Sequence, residues 1–247
     1  PNRSDDKPLD MNTYLKQIGC LWLTAFCLQA HAAFWETLTF SFDQNPLVIP
    51  DGDPNGTSDT RTLLTSLPAF QDLRVTLSLS GTSEPAFNGD LYVTLTHGDG
   101  FSVLLNRVGR RSDDSFGYSD NGFANVTFND AAPSGDVHVY RLAATGSHNL
   151  PLGGPLTGSW QPDGRTTDPD VVLDSDARPA LLYSLTNEPP SGQWTLFLAD
   201  LSSGGQSQLT SWSLHLNMTP EPNSAGLLAL GITSLVLFAR RRRRDGV

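Results

Sequence analysis

FQDLRVTLSLS (Phe70–Ser80) alternates with a period of two: Leu73, Val75, Leu77 and Leu79 fall on one side, Arg74, Thr76, Ser78 and Ser80 on the other. Successive strand side chains point to opposite faces, so this stretch predicts a strand with one buried face. The same period extends outward in both directions. Leu38, Phe40 and Phe42 alternate with Thr37, Thr39 and Ser41, and Leu47 to Pro50 resumes after the Asn45-Pro46 break. Asp90 to Leu95, a Gly98-Asp99-Gly100 turn and Phe101 to Asn106 read as a hairpin. Val126 to Phe128 and Val137 to Leu142 read as short strands. Trp194, Leu196 and Leu198 share a face in a strand ending at Asp200, and Gly204-Gly205 leads to Gln208–Asn217, where Trp212, Leu214 and Leu216 share a face.

Between these segments, Val108 to Gly122 reads as a long polar surface loop. From Ser147 to Arg178, Pro151, Pro155, Pro162 and Pro169 exclude any helix of length, because each proline fixes φ and lacks an N–H donor. No amphipathic helix is expected between Ala33 and Thr219. Short strands joined by Gly, Pro and Asn turns specify an all-β fold, an antiparallel jelly roll or β-sandwich.

Both flanks read differently. Met11, Lys16, the apolar run Ile18 to Leu28 and the Ala30-His31-Ala32 cleavage pattern predict a secretory signal peptide over 11–32, with the mature chain from Ala33. Residues 1–10, charged and preceding Met11, read as an over-called start. At the other end, Pro220-Glu221-Pro222 stops the domain, and 225–239 carries no charge and no polar face. That segment predicts a hydrophobic transmembrane helix of roughly 22 Å, short of the ~30 Å hydrocarbon core. Arg240, Arg241, Arg242, Arg243 and Arg244 follow it and mark the cytoplasmic end. The order over 220–244 resembles the PEP-CTERM sorting signal of Gram-negative envelope proteins. The resemblance implies a sorting peptidase (exosortase) as partner, a single pass through the membrane before the tail is processed, and a final place at the cell envelope or in the extracellular matrix. A permanent single-span anchor is the plainer reading of the same residues.

The body from Ala33 to Thr219 holds 21 Asp plus Glu against 8 Arg and no Lys, an excess of 13 negative charges. Such a balance excludes nucleic acid, which is held through Lys and Arg on phosphates. Cys20 and Cys27 lie within the signal peptide, so the exported body has no disulfide and depends on its core.

Six blocks carry a second resemblance: Ile49 to Gly56, Asn88 to Leu95, Leu105-Asn106-Arg107, Phe128 to Ala132, Gly192 to Leu196, and Leu209 to Leu214. In this order they resemble the P domain (P/Homo B) of kexin-like proprotein convertases, over about Phe40 to Asn217. The resemblance implies a β-jelly roll over 33–219 that normally follows a subtilisin-like protease domain, supports it, and in bacterial members often binds calcium. The segments Leu79–Gly89 and Leu150–Arg178 are longer than that family's pattern.

No catalytic triad is legible. His97, His138, His148 and His215 sit in no catalytic motif, and Gly81-Thr82-Ser83 lies in a polar loop rather than at a nucleophile turn. Calcium fits the composition better, since a hard cation takes oxygen ligands. Asp51, Asp53, Asn55, Gly56 and Asp59 match the start of an EF-hand loop, but Thr62 stands where the bidentate Glu belongs and Pro54 intrudes. The candidate ligands are therefore Asp51, Asp53 and Asn55 with Asp90 and Asp200, each at a strand end; solvated turn carboxylates are the alternative. Asp168, Asp170, Asp174 and Asp176 read as a soluble loop face. Trp194 and Trp212 belong to the core, and Trp160, in a Gly/Pro loop, is the tryptophan placed to meet a sugar or partner. Arg110-Arg111 is either a dibasic cleavage site or an ordinary charged loop. Two roles follow: a binding or structural module for matrix polysaccharide or protein, or an accessory or remnant of a subtilisin-like serine endopeptidase encoded separately.

Overall fold

The structure, a computed structural model, describes residues 34–41, 45–66, 68–82 and 85–219 together with Ser234. These lie in the unit Ala33–Val247; the other unit, Pro1–Ala32, falls outside the described residues, as do Ser83, the segment expected to be a signal peptide with Ala30 and Ala32, and the tail from Pro220 apart from Ser234. Among the described residues no helix is long and apolar enough to cross a membrane.

Among the described residues ten strands form two sheets. They are β1 (Phe34–Ser41), β2 (Leu47–Val48), β3 (Asp53–Leu63), β4 (Ala69–Gly81), β5 (Leu91–His97), β6 (Gly100–Asn106), β7 (Phe123–Phe128), β8 (Ser159–Trp160), β9 (Gly192–Asp200) and β10 (Ser207–Thr219). The first sheet runs β1-β10-β4-β7-β8, with β2 also on β10; the second runs β3-β9-β5-β6. Pairing is antiparallel except β7 with β8. The all-β sandwich is thus the fold, and its core lies between the sheets. Leu73, Val75, Leu77 and Leu79 of β4 meet Trp212, Leu214 and Leu216 of β10 and Trp194, Leu196 and Leu198 of β9, all buried. Burying an aliphatic side chain of this kind contributes about 1.5–3 kcal/mol.

Three expectations change. Val137 to Leu142 is not a strand: a 3-10 turn, Val137–Val139, runs into a short helix, α1 (Tyr140–Thr145). Asp136 accepts the His138 N–H at 2.9 Å and so caps this start, while Gly146 at φ 78 ends the helix. The Asp51–Gly56 turn closes within two residues, and Asp53 begins an eleven-residue strand. β3 is the edge of its sheet and has little apolar alternation to announce it. Trp160 is buried at 5% exposure, its indole N–H donating to the Thr157 carbonyl at 2.8 Å.

The region from 161 to 190 is not a passive loop. Val103 and Gly164 N–H groups bond across to Ala180 and Val103 carbonyls at 3.0 and 2.9 Å, so this chain covers the free side of β6. Arg165 pins it from within, donating to Asp163 at 3.1 Å and Asp136 at 2.8 Å.

Candidate functional site

β9 delivers the decisive residue. Trp194, Leu196 and Leu198 point into the core, and two residues further on the same phase carries Asp200, which is 0% exposed. Its register neighbours are Asp53 on β3 and Leu91 on β5. Neither carboxylate oxygen of Asp200 receives a hydrogen bond, and the nearby Ser207 hydroxyl, also buried, has no partner either. A buried acceptor without a partner is costly, about 1–3 kcal/mol and more when charged. Burial first, then the charges of Asp90 and Asp51, push the Asp200 carboxyl up to about 7; the Ser202 N–H and Ser207 hydroxyl lie near enough to offset only part of this.

Asp90 stands beside it. It ends the 3-10 turn Asn88–Asp90, is buried, and its carbonyl accepts the Leu201 N–H at 2.8 Å. Gly89 allows this turn, because a Cβ there would lie 2.6 Å from the Tyr118 backbone nitrogen. Burial raises the Asp90 pKa, against the pull of Ser202 and Arg107. Asp51 closes the outer side: both its oxygens accept the Gly204 N–H at 3.2 Å, tying the loop after β9 to the loop before β3.

One buried cation faces the group. Arg107, left-handed at φ 46, donates to the Gly89 carbonyl at 3.1 Å and the Ser202 hydroxyl at 2.8 Å, and stands 3.6 Å from Asp90 and 3.7 Å from Asp170. Burial first, and then Arg110, lower its pKa.

The structure therefore brings Asp51, Asp90 and Asp200 to one end of the sandwich. Asp53 is opposite Asp200 in register, but its carboxylate accepts the Asn55 backbone N–H and side-chain amide, both at 2.9 Å, so these two close their own turn. Asp59 binds Arg61 and the Trp212 indole instead, each at 2.7 Å. Among the described residues, no three Asp, Glu, His or Cys side chains converge in metal-ligating geometry. Arg107 and the Ser202–Gly204 loop belong to the group and were not read from sequence. The usable signal was phase: Asp200 continues the apolar period of its strand.

Two other charged clusters are paired within the fold. His138 Nδ1 lies 2.7 Å from Asp163 and Nε2 2.9 Å from the Arg110 carbonyl; both partners are acceptors, so both nitrogens donate. Burial disfavours that charge, but the hydrogen bond and charge of Asp163 outweigh it and raise the His138 pKa. Arg110 donates to the Asp170 carbonyl, and Arg111 pairs with Asp113 and Asp114, so the dibasic pair is a braced part of the fold.

No family model matches the chain, and no curated protein does. Among solved structures it is similar to the serine protease of Aeromonas sobria in complex with a chaperone, at 15% identity over 79% of this chain and 28% of that one, TM-score 0.37. The structure of the serine protease of Aeromonas sobria itself is similar at 15% identity over 79% of this chain and 29% of that one, TM-score 0.35. The chain spans less than a third of the length of either.

Proposed function

We propose that this chain is an exported, non-catalytic P-domain-like module, sorted to the cell envelope or matrix by its C-terminal tail and stabilised by calcium at the Asp200 end. The observation that carries the calcium reading is the Asp200 carboxylate, wholly buried, with neither oxygen hydrogen-bonded, beside Asp90 and Asp51. Three carboxylates against one guanidinium leave an oxygen-rich group with excess negative charge, the donor chemistry of a hard cation. Asp200 and Asp90 would supply the carboxylate oxygens, with loop carbonyls completing the shell, while Asp51, engaged by the Gly204 N–H, adds negative charge on the outer side. A bound ion supplies charge neutralisation and a tie between loops. Asp53 and Asn55, engaged with each other, contribute to shaping the turn. The sorting half of the proposal rests on the order Pro220-Glu221-Pro222, apolar segment, Arg240–Arg244.

Thermal unfolding of the purified chain, in excess EDTA and then in about 5 mM calcium, tests the ion. For an extracellular-type site with Kd near 0.1 mM, linkage gives roughly 2 kcal/mol and a rise in Tm of several degrees. The Asp200→Asn variant should lose the rise while being at least as stable as the parent in EDTA. An unchanged parent Tm overturns the calcium reading. Replacing Pro220, Glu221 and Pro222 with alanine should leave the tail uncleaved and the protein in the membrane fraction; normal processing of that variant overturns the sorting reading. A protease that co-purifies with the chain in stoichiometric amount would shift the role to that of a protease accessory.

A further inference from the structure

The outer face of the first sheet is organised as well. Along β10 the residues opposite to the buried Trp212, Leu214 and Leu216 are Ser211, Ser213, His215 and Asn217, and the register aligns them with Thr37 and Trp35 of β1 and with Arg74, Thr76 and Ser78 of β4. His215 is the centre of a hydrogen-bonded chain across four strands. Its Nδ1 meets the Thr37 hydroxyl at 3.0 Å, its Nε2 meets the Thr76 and Ser213 hydroxyls at 3.0 Å, and Thr76 shares a 2.9 Å bond with Thr127 of β7. Burial, and then Arg74, lower the His215 pKa. At one end Trp35, 43% exposed, forms a wall with the Arg74 guanidinium 4.3 Å from its ring centre. A cavity of about 300 Å³ lies between Trp35, Arg74, Thr76, Thr127 and His215.

The same face continues. One strand repeat along β4 and β7 lie Ser78 and Asn125, which line a second cavity of about 620 Å³ reaching Pro155. Asn125 is held at φ 51 while its Oδ1 accepts from the Ser78 hydroxyl at 3.1 Å and its backbone N–H donates to the same hydroxyl at 3.0 Å. A left-handed non-glycine residue inside a strand costs free energy and is kept where its side chain must point somewhere particular. The stretch of this face that carries the two cavities, the trough, spans roughly 25 Å from the Trp35 row to Ser80 at about 3.3 Å per residue.

We infer that this trough binds a neutral polysaccharide chain. The inference rests on the module's proposed place at the cell surface and deepens its binding role. Four features favour that ligand. An exposed indole offers a stacking surface for a pyranose ring. The floor consists of hydroxyl, imidazole and amide groups that donate and accept equally, matching sugar hydroxyls. Arg74, the cation lining the trough, is already shared with Trp35 and with Asp72 at 3.8 Å, which leaves no free positive charge for an anionic ligand. The body's large negative excess opposes anionic polymers further.

Affinity electrophoresis of the purified chain through gels containing laminarin, mannan, dextran or starch, and through an alginate gel, is the test. Retardation is expected in at least one neutral glycan and not in alginate. Trp35→Ala should weaken it at least tenfold, Trp35→Phe much less, and Thr76→Val with Thr127→Val should weaken it with the shape of the trough kept. The calcium-induced rise in Tm should be unchanged in all of these variants. Failure to bind any of the four neutral glycans, binding to alginate alone, or retardation that persists in Trp35→Ala overturns the inference. An intact calcium effect in that case leaves the module reading standing, whereas glycan binding without a calcium effect would sink only the ion.

Discussion

Asp163, in the segment that runs beside β6, and Asp200, at the end of β9, are both fully buried carboxylates, and they are treated in opposite ways. Asp163 accepts from His138 Nδ1 at 2.7 Å, Asn106 N at 3.2 Å and Arg165 Nη1 at 3.1 Å. Asp120 is the same case: the Tyr140 hydroxyl and Arg141 Nε, each at 2.6 Å, and the Leu152 N–H at 2.7 Å surround it. Asp200 receives no hydrogen bond of good geometry, and the nearby Ser202 N–H and Ser207 hydroxyl offset only part of its burial. The fold is therefore able to satisfy a buried carboxylate from its own groups and does so twice. Asp200 is the buried carboxylate that the fold does not fully satisfy, and this is why the proposed ion is placed there.

The sharpest way to break this comparison is to remove the partners' anchor. Asp163→Ala leaves His138 buried without its carboxylate acceptor and Arg165 with Asp136 alone as its ion pair, and should cost about 3–5 kcal/mol in urea unfolding. Asp200→Ala in EDTA should cost little by contrast; equal losses at both sites would erase the distinction. Next in size is the calcium effect, roughly 2 kcal/mol in the parent and absent in Asp200→Asn.

Acidity sharpens the contrast further. The Asp200 carboxyl, raised from 3.8 to about 7, stays protonated in the folded chain where it is ionised in the unfolded one. Folding then takes up a proton between about pH 4 and 7, and metal-free stability falls as pH rises across that window. The raised Asp90 acts in the same direction. The raised His138 holds its proton above 6.5, so its stabilisation is full below that value and is lost as pH rises through its folded pKa. Urea midpoints in EDTA at pH 5, 6, 7 and 8 should decline, and Asp200→Asn should flatten the part below 7. Calcium should bind more weakly at pH 5 than at 8, because protons compete for the same oxygens. The smallest effect belongs to the outer face: Arg74→Ala should change stability by less than about 1 kcal/mol, an exposed cation–π and ion pair being weak.

Much of the sandwich was legible. The strands holding Leu73 to Leu79, Leu91 to Asn106 and Trp194 to Leu216 announce themselves by alternation, since one face meets the core and the other water. β3 was missed because an edge strand with mostly exposed side chains has no such contrast. Val137–Leu142 misled because its apolar residues suit a strand by composition, while the Asp136 cap and Gly146 favour a helical turn. For the site, Asp51, Asp53 and Asn55 were named from an EF-hand-like turn and Asp90 and Asp200 from strand ends; the charges of Asp90 and Asp51 act on Asp200, whereas Asp53 and Asn55 turn to each other. Trp160 was expected to meet a ligand and is buried; among the described residues the exposed tryptophan is Trp35, hidden in sequence by the ordinary alternation of β1.

By itself the sequence determined the fold class, which faces of the strands are apolar, and the acidity of the body. These follow from local period and from composition, which are properties of neighbours along the chain. Only the tertiary structure decided which strand lies beside which. β9 and β10 are joined by the Gly204-Gly205 turn yet belong to different sheets, and β9 pairs with β3 and β5 across long stretches of sequence. That non-local pairing places Asp200 near Asp90 and Asp51 without a hydrogen bond of good geometry, and builds the hydroxyl chain from Thr37 through His215 to Thr127. Partners of this kind are chosen by packing two faces together, which no window of the chain contains.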